Sequence, residues 1–200
     1  MIAVRRKAGA WALWIGLLVV MPATAADLIE NVEGVYAARQ LRHTRFDPRA
    51  AEHLTSAESR FLEALFSVTD EAGLLNANVN RWFRSDGTGG LHAADYRDRM
   101  DALRVRLGGL ETPNRVLSVR DLISESLTLQ LGFVNDWYAA SDAGAPFESQ
   151  LTDEYAYHEG LHRSHRLILK AFAELRALFP EIGESSQMAF LDHLRAMDLK

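Results

Sequence analysis

Cysteine is missing from the 200-residue chain, and proline is scarce, with five residues. Without cysteine the chain has no disulfide, no lipid-modified cysteine and no thioether link to a c-type haem. The sequence also lacks a P-loop, the G-x-S-x-G turn of serine hydrolases and a G-x-G-x-x-G loop after a strand. These absences exclude the common nucleotide-binding and serine-hydrolase classes.

Long apolar runs are missing too, apart from one near the start. Three basic residues at positions 5–7 precede an apolar segment over 8–21, and Ala23-Thr24-Ala25 then forms a small-x-small site. This order is typical of a cleaved secretory signal peptide, which we predict for residues 1–25. We therefore expect a periplasmic or secreted protein with no stable membrane insertion after processing.

Acidic residues outnumber basic ones in the rest of the chain. Residues 1–25 contain three of the 22 basic residues and none of the 27 acidic ones, so residues 26–200 carry a net charge of −8. An acidic chain with scattered basic residues is a poor ligand for a phosphate backbone. We expect no nucleic-acid partner. About 175 residues suit one domain.

The apolar residues recur at spacings of three and four, and no segment shows sustained alternation. We predict an all-α domain over residues 26–200, a single antiparallel bundle of four long helices with short helices at its ends. The predicted helices begin near Leu28 (fading near Arg45), at Ser56, before Tyr96, at Val116 after the cap Asn114, near Thr152 and at Ser185. The fifth extends to Phe179 before Pro180.

Three polar residues fall inside or beside the apolar stripes of the second and fourth helices. Gln130 lies within the stripe, Arg120 on its flank and Asn76 beside the stripe of the second helix. A buried amide or guanidinium needs partners, since an unsatisfied one costs about 1 to 3 kcal/mol. Two interpretations follow: these residues tie the helices together, or they line a small polar pocket for a ligand.

The fifth predicted helix carries the chemistry-bearing residues. Four polar residues fall along one edge of its apolar stripe: the candidate metal ligands His158, His162 and His165, and Glu154, a further candidate for the ligand pocket. Imidazoles in that position bind Zn²⁺ or Cu²⁺ when a neighbouring helix supplies a further ligand, for which Asp192 and His193 are candidates. The alternative is that the histidines pack and form hydrogen bonds without an ion.

The string His158-Glu159-x-x-His162 resembles the zinc site of the zincin metallopeptidases. That resemblance implies His158 and His162 as zinc ligands, Glu159 as the base that activates water, and Glu181 or Glu184 as a third ligand. The match covers five residues and lacks the downstream continuations of both zincin branches. A di-iron carboxylate bundle would need a second E-x-x-H, which the chain does not contain.

We therefore predict an exported, non-enzymatic binding protein for a small ligand, a metal ion or an envelope partner. The alternative is a zinc-dependent hydrolase that uses Glu159 as its catalytic residue. Zinc and copper are the cofactors that the histidine pattern favours.

Overall fold

A computed structural model of the protein describes residues 28–44, 53–84, 91–142 and 158–199. These ranges contain no strand, which confirms the all-α prediction. They form six α-helices and one 3₁₀ turn over Asn114–Val116. The helices are α1 (Val32–Ala38), α2 (Ser56–Arg84), α3 (Ala93–Gly108), α4 (Leu117–Asp142), α5 (Glu159–Leu178) and α6 (Glu184–Ala196).

Local hydrogen bonds set the starts of the helices. Thr55 and Glu58 form a capping box at α2: the Thr55 hydroxyl accepts from the Glu58 N–H at 3.2 Å, and the Glu58 carboxylate accepts from the Thr55 N–H at 2.9 Å. Asn31 caps α1 by accepting from the Gly34 N–H. The predicted second helix therefore begins at Ser56, as expected.

The first helix ends earlier than the sequence predicts, at Ala38 and not near Arg45. Its end is a Schellman motif, in which the Leu41 N–H donates to the Tyr36 carbonyl and the Gln40 N–H to the Ala37 carbonyl. Gln40 has φ 55°, a left-handed conformation in which glycine or asparagine is usual. The missing glycine signal explains the longer prediction.

The helices meet around one apolar core. α4 packs most extensively on α5 and α3, while α2 contacts α1, α3 and α6. The predicted stripe of α2 is buried, and so is that of α4, where Ile123 and Leu127 are fully inaccessible. Close packing of these faces supplies the main stabilising term, because apolar area leaves water.

Two predictions fall outside the described residues: the signal peptide over 1–25 and the first turns of the fifth helix over 152–157. Within the described ranges, none of the helices combines the length and the apolar character needed to cross a membrane.

Candidate metal centre

Asp70, in the middle of α2, lies at the centre of a polar cluster between three elements. Its Oδ1 accepts from the Tyr36 hydroxyl of α1 at 2.6 Å and lies 2.6 Å from His193 Nδ1 of α6. Its Oδ2 lies 3.5 Å from His43 Nε2. One carboxylate thus joins α1, the segment after it, and α6.

The hydrogen-bond network fixes the tautomer of His193. The Tyr36 hydroxyl has one proton, which it donates to Asp70, and it lies 2.9 Å from His193 Nδ1. The Nδ1 atom must therefore carry the proton that it shares with these two oxygens. Among the described residues, His193 Nε2 is buried with no hydrogen-bond partner.

His43 reaches the cluster because the chain reverses after α1. Its ring stacks on Tyr36 with centroids 4.3 Å apart, and its Nδ1 lies 2.8 Å from the Glu33 carboxylate. The side chain of His43 is 15% exposed and that of Asp70 is 16% exposed. These two groups therefore remain within reach of solvent.

Aromatic contacts hold His193 in place. Its ring stacks on Phe66 with centroids 4.6 Å apart, and its side chain is only 4% exposed. Burial raises the pKa of the Tyr36 phenol, and the hydrogen bond to Asp70 and the nearby carboxylates raise it further. The phenol is thus a proton donor at neutral pH. Burial also raises the pKa of Asp192, beside His193.

The cluster has the donor set of a transition-metal site. Among the described residues, His43, Asp70 and His193 form the group of histidine and acidic side chains whose ligand atoms all lie within 4.8 Å of one another. Donors at 2.0 to 2.2 Å from a tetrahedral ion lie roughly 3.4 Å apart, close to the His43–Asp70 separation. The His193–Asp70 contact is shorter because a proton bridges it, and a metal ion would take the place of that proton.

A metal ion on His193 Nδ1 would move the imidazole proton to the buried Nε2, which would leave that donor unsatisfied at a cost of about 1 to 3 kcal/mol.

An open cleft of about 470 Å³ adjoins the cluster. Two neighbouring stripes of α2 line it, one with Glu63, Ser67 and Glu71 and the other with Phe66, Asp70 and Leu74. Val32, His43 and His193 complete the lining. The cluster is therefore accessible from a cavity of the size that small ligands occupy.

Of the three histidines predicted from the fifth helix, His158 and His165 make contacts away from this cluster. His158 precedes α5 and meets Phe133 edge to face at 4.9 Å, and His165 Nδ1 lies 2.5 Å from Asp198 Oδ2. The described ligand atoms of His158, His162 and His165 do not form a group within 4.8 Å. Metal binding by this trio stays a prediction, as does the hydrolase role of Glu159, an exposed residue in the first turn of α5.

Asn76 and Gln130 meet in a buried network. Asn76 Nδ2 donates to Gln130 Oε1 at 2.8 Å and to the Met197 carbonyl at 2.5 Å, and Asn76 Oδ1 accepts from the Tyr96 hydroxyl at 2.8 Å. Gln130 Nε2 donates to Ser164 Oγ at 3.0 Å. These contacts join α2 to α3, α4, α5 and the segment after α6. They are the contacts that the helix-tying interpretation expects.

Arg120 pairs with its neighbour Asp121 at 2.7 Å. Glu154 lies outside the described residues.

Sequence reasoning considered His193 as a ligand but missed Asp70 and His43. Asp70 lies off the apolar stripe of α2, where a carboxylate is expected to face water. A local sequence feature could have indicated the cluster. Tyr36 and His43 lie on either side of the end of α1, and a phenol and an imidazole that are both largely buried need a polar partner.

The fold and the cluster define an all-helical protein with a His-Asp-His site beside an open cleft. Comparison with protein families, curated proteins and solved structures found no match to this chain.

Proposed function

We propose that the protein binds a divalent transition-metal ion, zinc or copper, through His43, Asp70 and His193. The observation that carries this proposal is the convergence of two imidazoles and one carboxylate from three separate elements. Imidazole and carboxylate donors suit zinc and copper, and the buried Tyr36 hydroxyl orients Asp70 as an outer partner does in known metal sites.

The cleft supports a second partner for the bound metal. Three protein donors leave a coordination position for water or another ligand. The lining includes the acidic residues Glu63 and Glu71, and Glu71 pairs with Arg106 at 2.8 Å. A neutral nitrogen ligand with a free lone pair, such as imidazole, suits this position.

The cellular setting belongs to the same proposal. The signal-peptide pattern over residues 1–25 supports an exported, non-enzymatic binding protein, and the acidic charge argues against nucleic acid as a partner. Side-by-side contacts between α2 and α3, α3 and α4, and α4 and α5 support an antiparallel bundle, because helices that are consecutive in the chain pack on one another.

Metal titration of the purified, untagged protein tests the proposal. Isothermal titration with Zn²⁺ and with Cu²⁺ should give one equivalent bound. Asp70→Asn should weaken the affinity by about 100-fold or more, because it removes a charged ligand. Asp121→Asn is the matched control, since that carboxylate is 59% exposed and pairs only at the surface. A wild-type protein that binds no stoichiometric metal, or an unchanged Asp70→Asn variant, would contradict the proposal.

A further inference from the structure

One face of α2 contacts the chain from His193 to Leu199 at four successive points. Asp70 meets His193, Gly73 meets the Ala196 backbone, Asn76 meets Met197, and Asn80 meets Leu199. At about 100° per residue, the four α2 positions fall within a sector of about 120°. The first of these contacts belongs to the metal centre, and the other three follow it along the same helix.

Gly73 permits the closest approach. A Cβ atom at this position would lie 2.6 Å from the Ala196 carbonyl oxygen and 3.0 Å from its carbon, against at least 3.4 Å in an ordinary contact. Both atoms belong to the backbone, so no side-chain rotation would relieve the clash. The absence of a side chain at Gly73 therefore sets how near α6 lies to α2. This contact lies one turn from Asp70 along α2, and its partner Ala196 comes three residues after His193 in α6.

Two amides hold the segment that follows α6. Asn76 Nδ2 donates to the Met197 carbonyl at 2.5 Å, and Asn80 Nδ2 donates to the Leu199 carbonyl at 3.3 Å. Asn76 is fully buried and is itself held by Gln130 and Tyr96. Contacts with α3 and α4 thus fix the position of the Asn76 side chain. Its hydrogen bond to the Met197 carbonyl in turn fixes the chain just after α6.

We propose that Gly73 and Asn76 are positioning residues of the metal centre, which set the separation of α2 and α6 and with it the distance between Asp70 and His193. This inference rests on the proposed metal function. Metal–ligand distances vary by only about 0.2 Å within a site. A displacement of several tenths of an ångström one turn away therefore changes how well the two ligands meet one ion.

Gly73→Ala tests the inference, with Gly132→Ala as the matched control. Gly132 lies in α4, and a Cβ added there meets nothing within 4 Å. We expect Gly73→Ala to weaken Cu²⁺ and Zn²⁺ affinity about tenfold or more and to change the electron paramagnetic resonance spectrum of bound Cu²⁺. Gly132→Ala should leave both unchanged. Wild-type affinity and spectrum in a folded Gly73→Ala variant would overturn the inference.

Hydrogen exchange of the wild-type protein gives a second test that needs no variant. If the contacts couple the site to the segment after α6, bound Zn²⁺ should slow amide exchange at residues 196–199, because coupling is reciprocal. Amides of α3 between Met100 and Leu107 serve as the internal comparison. Stoichiometric zinc with unchanged exchange at 196–199 would overturn the inference alone, whereas absence of zinc binding would remove the proposed function itself.

Discussion

Replacing Asn76 with alanine should cause a large loss of stability. The side chain is fully buried and makes three hydrogen bonds, to Gln130, Tyr96 and the Met197 carbonyl. Each buried partner that loses its bond costs about 1 to 3 kcal/mol, and relaxation recovers part of that sum. We expect a loss of about 3 to 5 kcal/mol, which is about a fifth or more of a typical unfolding free energy of 5 to 15 kcal/mol.

Urea unfolding followed by circular dichroism measures this loss as a lower midpoint at an unchanged slope. Thr128→Ala is the control, because the Thr128 hydroxyl donates to the Ser124 carbonyl on an exposed part of α4. It should change the unfolding free energy by no more than about 0.5 kcal/mol. The double variant Asn76→Ala/Gln130→Ala should cost less than the sum of the single variants, since they share one bond. A loss below about 1 kcal/mol for Asn76→Ala would refute the reasoning.

Two carboxylates give opposite pH dependences. Burial disfavours the charged form of Glu58, but hydrogen bonds from Thr55 and the nearby Arg115 outweigh it and lower the Glu58 pKa below 4.5. The ionised Glu58 carboxylate stabilises the fold above pH 4.5, and this stabilisation is lost as pH falls through the lowered pKa. Glu58→Gln should therefore cost about 1 kcal/mol of unfolding free energy at pH 7 and little in acid. An equal cost at both pH values in urea titrations would contradict this. Burial raises the Asp192 pKa above 3.8, so its ionisation costs stability as pH rises through that pKa. Asp192→Asn should raise the thermal midpoint at pH 7 but not below pH 3.8, and a lower midpoint at pH 7 would show that the charge stabilises the fold.

The helices could be predicted from the sequence because each carries its own signals. Ser56 follows Thr55, the N-cap of a Thr-x-x-Glu capping box, and the stripe from Phe61 to Phe83 has the helical period, so start, length and buried face could be read locally. The prediction of the end of α1 was less accurate, because Gln40 adopts the left-handed conformation that a glycine in the sequence usually signals.

The candidate site could not be predicted in the same way. Asp70 and His193 are 123 residues apart in the chain, and their contact depends on how α6 lies against α2. The distance between α2 and α6 in turn depends on Gly73, whose role is visible only once the Ala196 backbone is placed beside it. Periodicity identifies which face of a helix is apolar, but it does not identify the neighbouring helix that covers a polar residue.

The most direct test of the metal centre is a comparison of Cu²⁺ binding, by titration and electron paramagnetic resonance, in wild type, His43→Ala and the double variant His158→Ala/His162→Ala. His43 lies in the segment after α1, outside the helices, so its removal should leave the helices intact. We expect one Cu²⁺ with nitrogen ligation in wild type and in the double variant, and weakened binding with an altered spectrum in His43→Ala. Binding that survives in His43→Ala and is lost in the double variant would place the metal at the His158-Glu159-x-x-His162 motif and contradict the proposed centre.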